Sequence, residues 1–354
     1  MTSETAAKAM PTIREHFEQQ AKACDALGSP FTAKLCRALI QCLDGSTRTG
    51  RRVLGWTGNP RWDALALRLC GGLHALTLAN ADPALAGIYP PAQVDQHSMA
   101  TALPAILARN DGALVGSLDN APQTNETARA GMLLPGFLRI AESTGLPLAL
   151  NEIGASAGLN MLFDRFHYTY GDTVWGDALS DARLSPEIRG KRPPLHRTPV
   201  IAKRQGCDIA PVDLGDAAAR LRLRSYIWAD QQARLRRLDA AIAIAANMPV
   251  PVAGMSAADF VRKQLADREA GTAFVLFHSV MWQYMPEAER DDIEAQMQAA
   301  GRNAGAGDPI AWLRMEPMAL ADPYCTLSLT LWPDGTTRHL ARCDFHGRWI
   351  EWLD

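Results

Sequence analysis

Cysteine is scarce and dispersed in this chain: seven residues in 354, at Cys24, Cys36, Cys42, Cys70, Cys207, Cys325 and Cys343, never spaced as C-x-x-C. An odd, scattered set argues against a disulfide framework and against a structural zinc site, and reads as reduced, mostly buried thiols. Charge of one sign is also missing: 36 Lys and Arg stand against 38 Asp and Glu, for a net charge of −2. Phosphate backbones are bound by clustered positive charge, so no extensive nucleic-acid footprint is expected beyond a local patch. No apolar run approaches the length that spans a bilayer. The opening MTSETAAKAMPTIREHFEQQ has no apolar core before a cleavage site, which makes the cytoplasm the expected compartment. Internal repeats and low-complexity tracts are absent too. What is present is 47% hydrophobic and 21% charged residues, enough for one large core or two ordinary ones.

The first third reads as helical. In IREHFEQQAKACDAL the apolar residues Ile13, Phe17, Cys24 and Leu27 recur near helical spacing. Ser29 and Pro30 supply an N-cap and a first-turn proline for a helix through Leu35, Leu39 and Leu43. DGSTRTGRR, residues 44–52, is expected to be a polar loop, and further helices are expected over 63–79, 97–109 and 126–143.

The pattern changes after residue 145. LALNEI is a short apolar run that stops at glycine, which favours a strand by length and flanks. Strand-like segments follow at VIAKR, PVPVAG, TAFVLFHSV, IAWLRME and TLSLTLW, and helix-like ones at ADQQARLRRLDAAIAIA and EAERDDIEAQMQAAG. Such alternation implies a parallel sheet covered on both faces. Trp332-Pro-Asp-Gly335 marks a turn joining two antiparallel strands at the end. Residues 164–199 interrupt the alternation and read as an irregular insertion with a small hairpin at RFHYTYGDTVWGD.

Most of the chemistry gathers in LNEIGASAGLN, residues 150–160. An apolar strand ends in an acid, then a small-residue turn leads into a helix start. Gly154 and Gly158 let backbone approach a ligand, and helix N–H groups favour an anion. For S-adenosylmethionine the anion is the methionine carboxylate, Glu152 suits the ammonium, and Ser156 and Asn160 complete the loop. A tight turn with no ligand accounts for the same residues. Gly154-Ala-Ser156-Ala-Gly158 also spells G-x-S-x-G, which makes Ser156 an acyl-transfer nucleophile with Asp259 or Asp322 and His346 as partners. Against it stand the charged Glu152 beneath the elbow and the lack of an oxyanion loop, because Gly71 and Gly72 sit in a helical pattern. Asp208, after a strand in RQGCDIAPVDL, suits a ribose diol or a plain turn. Asp259 suits an adenine amine or a helix start. His278 and Tyr284, in FHSVMWQYMP, follow the fourth strand at the sheet edge where open α/β folds place their sites. A base such as His278 helps an acceptor lose its proton, although a buried structural histidine fits the pattern equally.

Together these segments resemble a bacterial family, the domain of unknown function 2332, which is grouped with Rossmann-type methyltransferase-like folds. FEQQAKACDALGSP, QTNETARAGMLLPGFLRIAE, NEIGASAGLNMLFDRFHYTYGD, YIWADQQARLRRLDAAI and HGRWIEW carry the likeness over nearly the whole chain. Two departures are Phe166, where tyrosine is usual, and WADQ at 228–231 for a WPDQ-like segment. The resemblance implies that the QTNE…R segment lines the site, adding Gln123, Asn125, Glu126 and Arg129; read alone, it is a polar helix start with Thr124 as cap. The resulting expectation is an α/β, Rossmann-like class I methyltransferase-type domain over 130–354, with a C-terminal antiparallel hairpin, behind a helical N-terminal cap over 1–129 that closes over the sheet's carboxyl edge. Its expected cofactor is S-adenosylmethionine and its expected partner a small-molecule acceptor, with no metal. A serine hydrolase and a catalytically silent methyltransferase-like binding protein remain alternatives.

Overall fold

The computed structural model describes residues 11–319 and 321–354. Residues 1–10, on which much of the reading of the N-terminus rests, lie outside the described residues. The chain forms two compact units. One gathers the described residues up to Thr124 with Ala217–Leu235, and the other joins Asn125–Asp216 to Arg236–Asp354. Among the described residues no helix is long and apolar enough to cross a membrane.

The first unit is helical: α1 (Ile13–Ala26), α2 (Pro30–Cys42), α3 (Arg48–Leu54), α4 (Leu65–Leu78), α5 (Pro83–Ala86), α6 (Gln96–Arg109), α7 (Asp111–Ser117) and, from the later segment, α9 (Ala217–Ser225). Thr12 and Glu15 form a reciprocal capping box that starts α1, and Ser29 with Pro30 starts α2 as the sequence predicts. Phe17, Leu35, Leu39, Leu65, Leu69 and Leu103 are buried together in its core. The expected loop at 44–52 is corrected, because α3 begins inside it. Thr47 accepts the N–H of Gly50, and the carboxylate of Asp111 accepts those of Arg48 and Thr49 at 3.1 and 2.8 Å. A helix start supplied from more than sixty residues away leaves no local signal. Gly71 and Gly72 lie within α4, where an added Cβ would meet the Tyr226 ring and the Ser117 side chain, so packing accounts for the pair.

The second unit is built on a nine-stranded, mostly parallel sheet. Its strands are β1 (Leu148–Ile153), β5 (Glu187–Gly190), β6 (Ile201–Asp208), β7 (Val252–Gly254), β8 (Ala273–Ser279), β9 (Ile310–Glu316), β10 (Cys325–Trp332), β11 (Thr336–Cys343) and β12 (Trp349–Trp352). The order is β5-β12-β11-β10-β9-β8-β1-β6-β7. From β7 to β9 all neighbours are parallel, and the chain reverses its direction of travel across the sheet between β1 and β8. β9, β10, β11 and β12 then run antiparallel to one another, and the β10–β11 pair is the expected hairpin.

Successive strand residues face opposite sides of a sheet. Leu313 meets the open face of Gly136 on α8 (Ala130–Thr144), and Phe277 packs edge-on against Phe137, 5.0 Å between ring centroids. Their neighbours Leu276 and Trp312 cluster instead with Phe260 of α11 (Ala257–Ala266) and Ile293 of α12 (Glu287–Arg302). Helices therefore cover both faces, as the apolar run of β8, buried throughout, requires. A further helix, α10 (Gln232–Asn247), precedes β7. The insertion after residue 164 is more ordered than expected. β2 (His167–Tyr170) and β3 (Thr173–Gly176) form the expected hairpin, β4 (Arg183–Leu184) joins them in a separate sheet, and β5 extends the main sheet beside β12.

Candidate functional site

The carboxyl ends of β6, β1, β8 and β9 carry the candidate residues Asp208, Glu152, His278 and one that sequence reasoning passed over, Glu316. β1 passes through Glu152 and Ile153 into a left-handed Gly154, and Ser156 and Gly158 also take positive φ, +55° and +75°. The helix expected after Gly158 is a kinked 3-10 stretch, Leu159–Arg165.

The N–H groups of this loop are largely committed. Ala155 donates to the Cys207 carbonyl at 2.9 Å, Ser156 to Asp208 Oδ2 at 2.9 Å, Gly158 to the Ala155 carbonyl at 2.8 Å and Leu159 to Asn125 Oδ1 at 3.0 Å. Asp208 is the last residue of β6, and its other oxygen accepts the N–H of Ala210 at 2.9 Å. Asp208 and Asn125 thus brace the turn from two sides. Beside Gly154, an added Cβ would lie 2.9 Å from Met281 Cγ, so that space is filled by a flexible thioether side chain. The Gly158 side is lined by Val252 and Met161.

Glu152 is buried with Asn160 and Arg129 close by. Loss of solvent pushes its carboxyl well above the ordinary range; the Arg129 guanidinium and the Asn160 side chain draw it back, and Asp208 adds a small upward push. Glu152 Oε2, Asn160 Oδ1 and the Ser156 hydroxyl are buried without a hydrogen-bond partner. Arg129 is held by the carbonyls of Phe345 and Ser279, both at 3.0 Å, tying the start of α8 to the end of β8 and to the β11–β12 turn.

On β8, His278 aligns with Arg314 of β9, whereas Glu152 aligns with Phe277. His278 therefore points to the α11–α12 face and Glu152 to the α8 face. His278 is fully buried, its Nδ1 lying 2.7 Å from Glu316 Oε1 while Trp282 stacks on the ring at 4.9 Å. A carboxylate at the end of IAWLRME carries the same strand-end signal as Glu152, and that signal would have found Glu316 in the sequence.

The other candidates are placed as follows. Asp259 accepts from the Ser256 hydroxyl at 2.8 Å and pairs with Arg262 on the exposed start of α11. Tyr284 is 74% exposed, in a 3-10 turn five residues beyond β8. Glu126 is buried and caps the turn Thr127–Arg129 through the Ala128 N–H at 3.1 Å, the part expected of Thr124, with Arg237 at 3.9 Å. Gln123 falls in the first unit. For the hydrolase alternative, the Ser156 hydroxyl touches no histidine, and Asp322 accepts the N–H of Ala319. Among the described residues no group of three or more His, Cys, Asp and Glu side chains is arranged to hold a metal ion. All seven cysteines are free, and all but Cys42 are buried.

A family model described as an uncharacterized protein conserved in bacteria (DUF2332) matches residues 14–352. No curated protein and no solved structure matches the chain.

Proposed function

The chain belongs to that family, whose description names no activity, and from the site itself we propose that it binds S-adenosylmethionine at the carboxyl ends of β1 and β6 and methylates a small molecule. The observation that carries this reading is the buried Glu152 at the end of the central parallel strand, whose Oε2 is unpartnered, with the Asn160 side chain close by. An unpartnered carboxyl oxygen at a strand end fits an ammonium group, whose positive charge would hold the raised carboxyl in its ionised form. The strand order 3-2-1-4-5 through β7, β6, β1, β8 and β9 is that of a Rossmann-type sheet, whose ligands lie where the order reverses.

The donor set fits unevenly. Asp208 keeps lone pairs on both oxygens for ribose hydroxyls after accepting one N–H on each. The loop N–H groups, by contrast, are largely spent within the protein, so the Ser156 hydroxyl is the free polar group for a carboxylate. When bound, the cofactor supplies an electrophilic methyl group. The protein's part is to orient it, to exclude water and to take a proton from the acceptor, for which His278 is the residue at the end of β8. Asp259, in the first turn of α11 and engaged by Ser256 and Arg262, is left out of this assignment, and Tyr284 stays an acceptor-side candidate.

Acyl transfer by Ser156 has one observation in its favour, the left-handed backbone that a nucleophile elbow shares. It lacks a histidine on the hydroxyl. Equilibrium binding of S-adenosylmethionine tests the leading reading, and binding without turnover across acceptor pools would identify a silent binding protein.

A further inference from the structure

Buried polar groups are almost always hydrogen-bonded, so each exception calls for an explanation. Two exceptions belong to one pair. His278 Nε2 and Glu316 Oε2 are both buried and unpartnered, while the facing atoms, Nδ1 and Oε1, are 2.7 Å apart. Glu316 Oε1 also accepts the N–H of Met281 at 3.1 Å, so it serves as an acceptor and the histidine carries its proton on Nδ1. That leaves a lone pair on Nε2. The backbone just beyond is constrained as well: Val280, β-branched, takes φ +53° and is held by its N–H on the Met315 carbonyl at 3.0 Å. For such a residue this conformation is an outlier, and outliers of this kind gather at functional sites.

We infer that Glu316 is a positioning residue that fixes His278 as a proton acceptor, so that this strand-end site takes a substrate carrying a hydroxyl group. The substrate O–H bond breaks, its electron pair stays on oxygen, and the proton adds to Nε2; the resulting imidazolium keeps its Nδ1–H on the Glu316 carboxylate. Half-buried Trp282, face to face with the ring, is the side chain that covers His278 and offers an aromatic face to the substrate. The inference rests on the carboxyl edge being the reacting site, and is independent of which group is transferred.

The test is long-range 1H–15N correlation on the full chain labelled with 15N-histidine, with His278→Gln used for assignment and phenol as the hydroxyl probe. The expected result is the Nδ1–H tautomer, with an Nε2 resonance that moves as phenol is added. Glu316→Gln, which keeps an acceptor, retains both features. Glu316→Leu, confirmed folded by its amide spectrum, shifts the ring towards Nε2–H and loses the phenol response. An Nε2–H tautomer in the wild type, or His278 resonances that ignore phenol, overturns the inference; neither reading needs the variants to fold. S-adenosylhomocysteine binding, followed separately at the amides of residues 154–158, reports on the cofactor reading without touching this one.

Discussion

Asp208 closes β6 with its carboxylate turned onto the loop that leaves β1, one oxygen 2.9 Å from the backbone nitrogen of Ser156. The second oxygen holds the N–H of Ala210, also at 2.9 Å. One side chain thereby ties the loop after β1 to the turn after β6. Asp208→Ala leaves the Ser156 N–H without its acceptor, and we expect a loss of about 1–3 kcal/mol in stability, read by urea unfolding. Wild-type stability in that variant would remove Asp208 from the brace.

Stability should also respond to pH through Glu152. Its carboxyl is raised in the folded chain above the ordinary value of 4.5. Between that value and the folded one, the native chain holds a proton that the unfolded chain has released, so stability falls as pH rises through this window. Glu152→Gln has no proton to lose. It should gain on the wild type progressively above about pH 4.5 and match it below, in parallel unfolding titrations. A constant difference across that range would show that the carboxyl is not raised.

Close packing of α8 on the sheet predicts a contrast between two glycines. A Cβ at Gly136 would lie 2.6 Å from Leu313 Cδ1, in the core, whereas one at Gly116 in α7 meets nothing within 4 Å. Gly136→Ala should destabilise by about 1–3 kcal/mol through overpacking. Gly116→Ala should stabilise by up to about 1 kcal/mol through helix propensity. Thermal unfolding measures both, and equal effects would contradict the packing described for α8.

The Ser156 hydroxyl has no base within hydrogen-bond reach, so a fluorophosphonate probe should leave the protein unlabelled by intact-mass measurement. Stoichiometric labelling that disappears in Ser156→Ala would instead favour acyl transfer.

Strands β1, β8 and β9 were legible because each is a short, largely apolar run, a local signal that survives without tertiary context, whereas β6, IAKRQGCD, is mixed. LALNEI and TAFVLFHSV are the clearest, matching β1 and β8. What stayed hidden depended on distant partners. The start of α3 rests on Asp111, the 3-10 stretch after Gly158 on Asn125, and the edge position of β5 on β12. The site divides in the same way. Glu152, Asp208 and Glu316 are all strand-end acids readable from their neighbours, whereas the pairing of Glu316 with a histidine 38 residues earlier has no local signal. Asp259 is ambiguous in sequence because a helix-start acid and a strand-end ligand look alike, and in the fold it lies in the first turn of α11, bonded to Ser256 and Arg262.

Calorimetric titration of the full chain with S-adenosylmethionine and S-adenosylhomocysteine, with Glu152→Ala as the comparison, decides whether Glu152 receives the ammonium of the proposed cofactor. Saturable binding of both compounds by the wild type is expected, and its loss in a Glu152→Ala variant that remains folded. A folded wild-type protein that binds neither compound, or a variant that binds both unchanged, would contradict that role of Glu152.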